Sequence, residues 1–406
     1  MNKIVSVVFC FLLVSSMLIF PIQSDASQQD EIIYVDVDNT DGPWDGSFEH
    51  PFQYIQDGIN AARRGYTVFV CKGHYEENLV VFKSIILKGE DKASTIIDGG
   101  NKCSTNLIQV FARNVEITGF SIQNGRNQGI FEDAAGIQLL FSGNNDIHDN
   151  LFTNNDIGIH FYRSHKNTIL NNSIINNTYG ICSGCLNMYG LVGLGHSRSN
   201  KIIHNNISNN AISLDLGCVS YSEIHQNKFF ENRLAMRLSN SRKNTIKNNS
   251  ICSNTDYGIL LSFCHNNVIK YNIISDNQKI GLRLSGSKNN LIKFNNFSKN
   301  NRGIYLKYGD ISLIVFNCKK NKVINNNFLD NEEHVTFING IFKRNRFVGN
   351  YWDGSQSNPY IIHGFISFFD YIPDYISFFP RIDVPWIKFD WHPASEPYDI
   401  DGGERL

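Results

Sequence analysis

The sequence has no surplus of positive charge. Lys plus Arg number 37 and Asp plus Glu 38 in 406 residues. A general binder of nucleic acid or of anionic membrane needs a basic excess to meet phosphates, so the balance argues against both. Charge of either sign is scarce as well, at 18%. The polarity sits in neutral amides, above all Asn, which stack in rows without mutual repulsion. Long apolar runs are missing beyond the start of the chain. The one such run, Ile4 to Ile22 after Lys3, reads with Ser24-Asp25-Ala26 as a signal peptide over residues 1–26. If uncleaved, the same run is long enough to anchor the chain in a membrane. The remainder is expected outside the cytoplasm, secreted or in the cell envelope. Cys10 would leave with the signal, and the eight remaining cysteines permit disulfides or serve as small buried hydrophobes.

What the chain has in abundance is a repeat. Segments 145–167, 244–267 and 267–290 share the pattern Asn-x-Ile-x-x-Asn-x-(Ile/Phe)-x-x-Asn, then Gly-Ile-x-Leu and a polar turn. Anchored on the first Ile, the next Asn falls at Asn150, Asn172, Asn205, Asn227, Asn249, Asn272, Asn295, Asn327 and Asn350. A second column runs Asn155, Asn177, Asn210, Asn232, Asn254, Asn277 and Asn300. The preceding column, Asn145 to Asn345, is interrupted by Ser222 and Lys322. Steps are 22 or 23 residues, with two longer steps that read as loops at 182–199 and 309–320.

A helical solenoid would show a 3.6-residue period. Here apolar residues alternate, as in Ile157, Ile159, Phe161 and in Ile212, Leu214, Leu216, which means strands. Strands this short bury nothing alone; stacked in register about 4.8 Å apart they enclose a continuous apolar interior. In-register Asn side chains then bond from turn to turn, and Asn tolerates left-handed angles at the bends. The reading is all-β: a single-stranded right-handed parallel β-helix of roughly ten to twelve turns. Residues 31–130 hold the N-terminal cap and first turns, with Gln53 to Ala62 as a short amphipathic helix over the open end. The Asn ladders span 131–350. From 351 to 406 the chain turns aromatic and is expected to cap the last coil, or to offer an aromatic platform to a sugar or protein.

Family likeness rests on Gln53-Tyr-Ile-Gln-Asp-Gly-Ile-Asn-Ala-Ala, Gly73-His-Tyr-Glu-Glu-Asn, Ile85-Ile-Leu-Lys-Gly-Glu, Thr95-Ile-Ile-Asp-Gly and Gly349-Asn350-Tyr351-Trp352. With the Asn repeat these resemble the NosD-like periplasmic proteins and the wider group of carbohydrate-binding and sugar-hydrolysing β-helices. The segment from Pro385 to Asp399 resembles the tail of archaeal surface β-helix proteins. The resemblance covers roughly 31–399. It implies the right-handed fold, a polysaccharide or cell-surface glycan as partner and, through the NosD-like members, a role in copper-centre maturation. The fold itself hosts many activities.

Candidate chemistry sits on the outward positions of the Gly-Ile-x-Leu strand. That row reads Gln138, His160, Cys182, Asp215, Arg237, Leu260, Arg283 and Tyr305; the next adds Leu140, Tyr162, Ser239, Ser285 and Lys307. Asp215 and Arg237, with His160 two turns away, are candidates for binding an acidic sugar or for acid–base work. Gln138, Tyr162, Arg283, Tyr305 and Lys307 complete a ligand face. No second carboxylate stands near Asp215, and glycoside hydrolysis usually needs two. The motifs of pectin methylesterases, polygalacturonases and mannuronan epimerases are absent. Cys182-x-x-Cys185, Met188 and His196 are the most metal-like cluster, with thiolate, thioether and imidazole suited to copper(I). The residues call for no other cofactor. The expectation is a glycan-binding β-helix, with a polysaccharide lyase or hydrolase and a NosD-like copper accessory protein as alternatives.

Overall fold

The computed structural model describes residues 31–100, 105–127, 134–183, 196–311, 314–316, 318–339, 345–354, 358–368 and 382–400. The chain winds as a right-handed parallel β-helix with three strands per turn. In one regular turn they are Ile157–Tyr162, Thr168–Leu170 and Ser173–Ile175. We call their faces the long-strand, middle and third faces. Successive turns pair in parallel register, Ile159 with Ile181, Ile169 with Ile202 and Ile174 with Ile207. The third face stacks twelve strands, from Gly73–Tyr75 to Tyr351–Trp352, the upper end of the expected range.

Alternation decides what is buried. Ile, Leu and Phe at the inward positions form one core running the length of the coil. Three corners per turn carry an Asn column each. In the middle-to-third corner, Asn249 Nδ2 donates to Ile224 O at 3.0 Å, to Lys247 O at 3.0 Å and to Asn272 Oδ1 at 2.9 Å. Its own Oδ1 accepts from Asn227 N and Nδ2, both at 3.0 Å. Each amide is therefore saturated by its neighbours, which is what makes a fully buried amide tolerable.

The structure corrects two details of this pattern. The ladder step after Asn295 is Asn326, not Asn327: Asn295 N donates to Asn326 Oδ1 at 2.9 Å, and Asn326 N to Asn350 Oδ1 at 3.0 Å. Val323 is the inward residue that pairs with Ile292, whereas Ile324 next to it suggested an anchor one residue late. A one-residue slip moves a side chain to the opposite face. The same slip made Lys322 look like an interruption; Asn321 fills that column. Second, the left-handed residue at a corner is the one before the ladder Asn. It is Tyr271 at φ 56° and Phe294 at φ 52° in two turns. The ladder amide clamps it, since Asn272 Nδ2 reaches Lys270 O and Asn295 Nδ2 reaches Lys293 O across it.

A fourth column, of hydroxyls, lies at the corner after the long strand. Ser142, Ser164 and Ser197 follow one another there, as do Ser241, Cys264, Ser287 and Cys318, with Val219 replacing the hydroxyl in one turn. Cys264 and Cys318 are free thiols wholly inside this column, and burial pushes each up to about 12. The loop at 309–320 contains an antiparallel pair, Gly309–Ile311 with Ile314–Phe316.

The two ends differ from the middle. At the first, the helix Ile55–Ala61 buries Ile55 and Ile59, with Ala62 just beyond it. Its N-terminus has no side-chain cap of its own; the Glu77 carboxylate accepts from Ile55 N at 2.7 Å and Gln56 N at 3.0 Å. At the other, Tyr360–Phe368 and Ile382–Asp390 form an antiparallel hairpin. Asp390, fully buried, ends the ladder by accepting from Gly349 N, Asn350 N, Asn350 Nδ2, Trp352 Nε1 and His392 N. Rings of Phe297, Phe328, Trp352 and Tyr360 stack in sequence, with centroids 5.2, 4.5 and 4.2 Å apart.

Candidate functional site

The register builds the predicted row. Gln138, His160, Cys182, Asp215, Arg237, Leu260, Arg283 and Tyr305 are consecutive partners on the long-strand face. Tyr162 pairs with Leu140 and Lys307 with Ser285 in the row beside it. Arg237 grips Asp215 with two prongs: Nε donates to Oδ1 at 2.7 Å and Nη2 to Oδ2. The hydrogen bond to that carboxylate holds the guanidinium above its usual pKa.

His160 does not join them. It is 2% exposed rather than solvent-facing. Its Nδ1 lies 3.3 Å from Gln138 Nε2, and burial pushes the imidazole down to about 4. Cys182 stands between His160 and Asp215, so the two are about 10 Å apart at about 4.8 Å per strand. Direct proton exchange needs about 3 Å. The geometry does not assemble an acid–base group from Asp215, Arg237 and His160.

Further along, the face becomes aromatic and cationic. Arg283 Nη1 donates to Tyr257 Oη at 3.1 Å and its guanidinium lies over the Tyr257 and Tyr305 rings. Arg302 covers the other side of the cluster, over Tyr305 and paired with Glu333. Here the C-terminal hairpin rises beside the coil and makes a cleft of about 640 Å³. Tyr305, Thr336, His363, Trp386 and Phe389 line it, with Arg302 and Glu333 at its edge. Gly364 permits this approach; a Cβ there would lie 2.4 Å from Phe337 O. Of these residues, sequence reasoning found Tyr305. His363 and Trp386 carry no repeat signal, and a long-range pairing brings them in. Two carboxylates of this face are held by cations, Asp215 by Arg237 and Glu333 by Arg302, and at the corner before it Asp256 is held by Arg233 and Lys279.

The metal-like cluster is only partly in view. Cys182 is half-buried in the row and His196 is exposed, while Cys185 and Met188 lie outside the described residues. Among the described residues no three His, Cys, Asp or Glu side chains are grouped to hold a metal ion. Also among the described residues, no helix is long and apolar enough to cross a membrane.

Fold and face together define a parallel β-helix with one polar, partly aromatic long-strand face. The chain belongs to the family described as periplasmic copper-binding protein (NosD), whose model matches residues 67–184 and 187–366. No curated protein matches it. Among solved structures it is similar to the Dettilon tailspike protein, at 12% identity over 83% of this chain and 72% of that one, with a TM-score of 0.60. It is similar to the A-module of the mannuronan C-5 epimerase AlgE6 of Azotobacter vinelandii, at 15% identity over 74% and 89%, TM-score 0.56. It also resembles the DFA-IIIase of Arthrobacter chlorophenolicus A6, at 12% identity over 78% and 93%, TM-score 0.56. At these identities the likeness is one of fold.

Proposed function

We propose that the protein binds a glycan outside the cytoplasm, in the cleft between the long-strand face and the C-terminal hairpin, without cleaving it. The cleft carries this reading: it is the one place on the described face where exposed aromatic surface, at Trp386, meets Tyr305 and the Arg302–Glu333 pair. An aromatic ring offers an apolar face to a sugar ring, and the polar rim offers hydrogen bonds that fix its orientation. The family's periplasmic description and the polysaccharide chemistry named for the epimerase accord with such a ligand. The neutralised carboxylates favour binding over hydrolysis.

The test is a glycan array followed by titration of the best oligosaccharides, with reducing-sugar and unsaturated-uronate assays on the same samples. Binding without product is expected. Trp386→Ala should weaken it about tenfold, in line with the loss of one well-packed aromatic contact. Turnover lost in Asp215→Asn would replace this reading with a lyase or hydrolase. This reading requires no metal. Stoichiometric copper in the purified protein, lost in Cys182→Ser, would replace it with the copper accessory role.

A further inference from the structure

The corner that follows each long strand carries a single-file run of basic residues. Backbone bridges place Gly143, His165, Arg198, Ser220, Arg242, His265, Lys288 and Lys319 side by side on eight consecutive turns. Six of the eight are His, Arg or Lys. The next residue in each turn adds Lys166, Lys243 and Lys320, all exposed. Among the described residues no carboxylate forms an ion pair with Arg198, Arg242, Lys243, Lys288, Lys319 or Lys320. The nearby Glu223 is engaged elsewhere, with His225 and Lys247.

Such an arrangement costs stability. Like charges on neighbouring strands repel; here Lys288 and Lys319 are direct partners, Arg198 and Arg242 stand two turns apart across Ser220, and Arg242 and Lys288 two turns apart across His265, with no counter-charge between them. A chain with 37 basic and 38 acidic residues had ample carboxylate to intersperse. The positive field shows in the neighbours. The Tyr221 hydroxyl, bonded to Lys243 at 2.9 Å, is held below its usual pKa by Lys243, with Arg242 and Arg198 adding to the effect. Burial lowers His265, and Lys288 and Arg242 lower it further. A shorter basic row, Lys247, Lys270 and Lys293, does not share this character. Lys247 is paired with Glu223, and Lys270 and Lys293 lie over the Tyr271 and Phe294 rings, as Lys243 of the stripe lies over Tyr221; Arg198, Arg242, Lys288 and Lys319 have neither kind of partner among the described residues.

We infer that this corner is a docking stripe for a linear acidic polysaccharide, separate from the cleft. The argument is one of shape and charge. Arg198, Arg242, Lys288 and Lys319 stand in one line along the coil axis, one to two turns apart, which suits an extended chain bearing one carboxylate or sulfate per sugar. A flat membrane surface would call for a broad basic face, and the stripe is one to two residues wide. Counter-ion release from the polymer would drive binding and make it salt-dependent.

The experiment titrates the full chain with polygalacturonate oligomers of increasing length. Neutral dextran, phosphatidylglycerol vesicles and single-stranded DNA of matched charge run in parallel, at 20 and 200 mM salt. Uronate oligomers long enough to span four turns should bind, at least tenfold more weakly at the higher salt. Dextran should not bind. Arg198→Gln/Arg242→Gln/Lys288→Gln should weaken uronate binding at least tenfold, with the thermal unfolding midpoint unchanged or raised and the cleft ligand still bound. Arg233→Gln/Lys279→Gln, at another corner, should leave it intact. Equal uronate binding by the triple variant overturns the inference, as does tighter binding of vesicles or DNA than of uronate.

Discussion

The middle of the coil and its C-terminal end solve one problem in opposite ways. In the middle-to-third column, each ladder Asn from Asn150 to Asn326 is satisfied by a copy of itself one turn away. Asn249 gives to Asn272 what it receives from Asn227. At Asn350 the copies run out; its N–H would be left buried and unpaired, and its amide would keep only Val323 O. A single carboxylate, Asp390, arriving from the hairpin, takes both, together with Gly349 N, Trp352 Nε1 and His392 N. An acceptor with two oxygens and no donor suits a ladder end, where only donors remain. A repeat propagates its own hydrogen bonds, and termination needs a residue that breaks the repeat.

The most severe test of this contrast is Asp390→Ala. It strands several buried donors at once and should cost about 4 kcal/mol, each unpaired group being worth about 1–3. Urea unfolding measures it; a loss below about 1 kcal/mol would mean that water or a neighbour replaces the cap. Next is Asn249→Ala, in the middle of the ladder, which orphans Asn227 N, takes one of three acceptors from Asn227 Nδ2 and removes the Asn249 amide from Ile224 O and Lys247 O; it should cost about 3 kcal/mol. Unchanged thermal unfolding would count against the stacked column. The register is tested by a pair of variants. Asn326→Ala should match Asn249→Ala, while Asn327→Ala should cost about 1 kcal/mol, for its two bonds with the Tyr398 backbone. Equal losses would restore the register suggested by Ile324.

A pH effect comes from His160. Its folded pKa, about 4, lies below the usual 6.5, so the unfolded chain binds the proton first. Stability should therefore fall as pH drops from 6.5 toward 4 and level off below that. His160→Gln should flatten this part of the profile in denaturant titrations at several pH values. The smallest effect is expected from Cys264→Ser, within about 1 kcal/mol, since Ser241 and Ser287 already occupy the column on either side. A larger loss would show that the thiol packs in a way a hydroxyl cannot.

Much of the long-strand row was legible because register is inherited from the repeat. Once Ile159, Ile181 and Leu214 are aligned, His160, Cys182 and Asp215 must be neighbours. The cleft was not legible. His363 and Trp386 fall outside the repeat, and only the pairing of Phe337 with Gly364, and of Gly364 with Trp386, brings them to Tyr305. The burial of His160 escaped for a similar reason, since alternation marks a position as outward without saying what covers it. The slip at Asn327 arose where Val323 and Ile324 are adjacent and both apolar, so spacing alone offered two anchors.

The sequence by itself determined the solenoid, its three corners and the residues that share a row, because a 22-residue period with period-two alternation has one way to bury its apolar side chains. It also determined an even balance of charge. The tertiary structure alone decided where that charge lies. Winding the chain sets residues 22 to 33 apart side by side, and so collects cations that look scattered along the sequence into one stripe. It likewise decided that the ladder ends on Asp390, since 40 residues separate that carboxylate from Asn350 and no local pattern connects them.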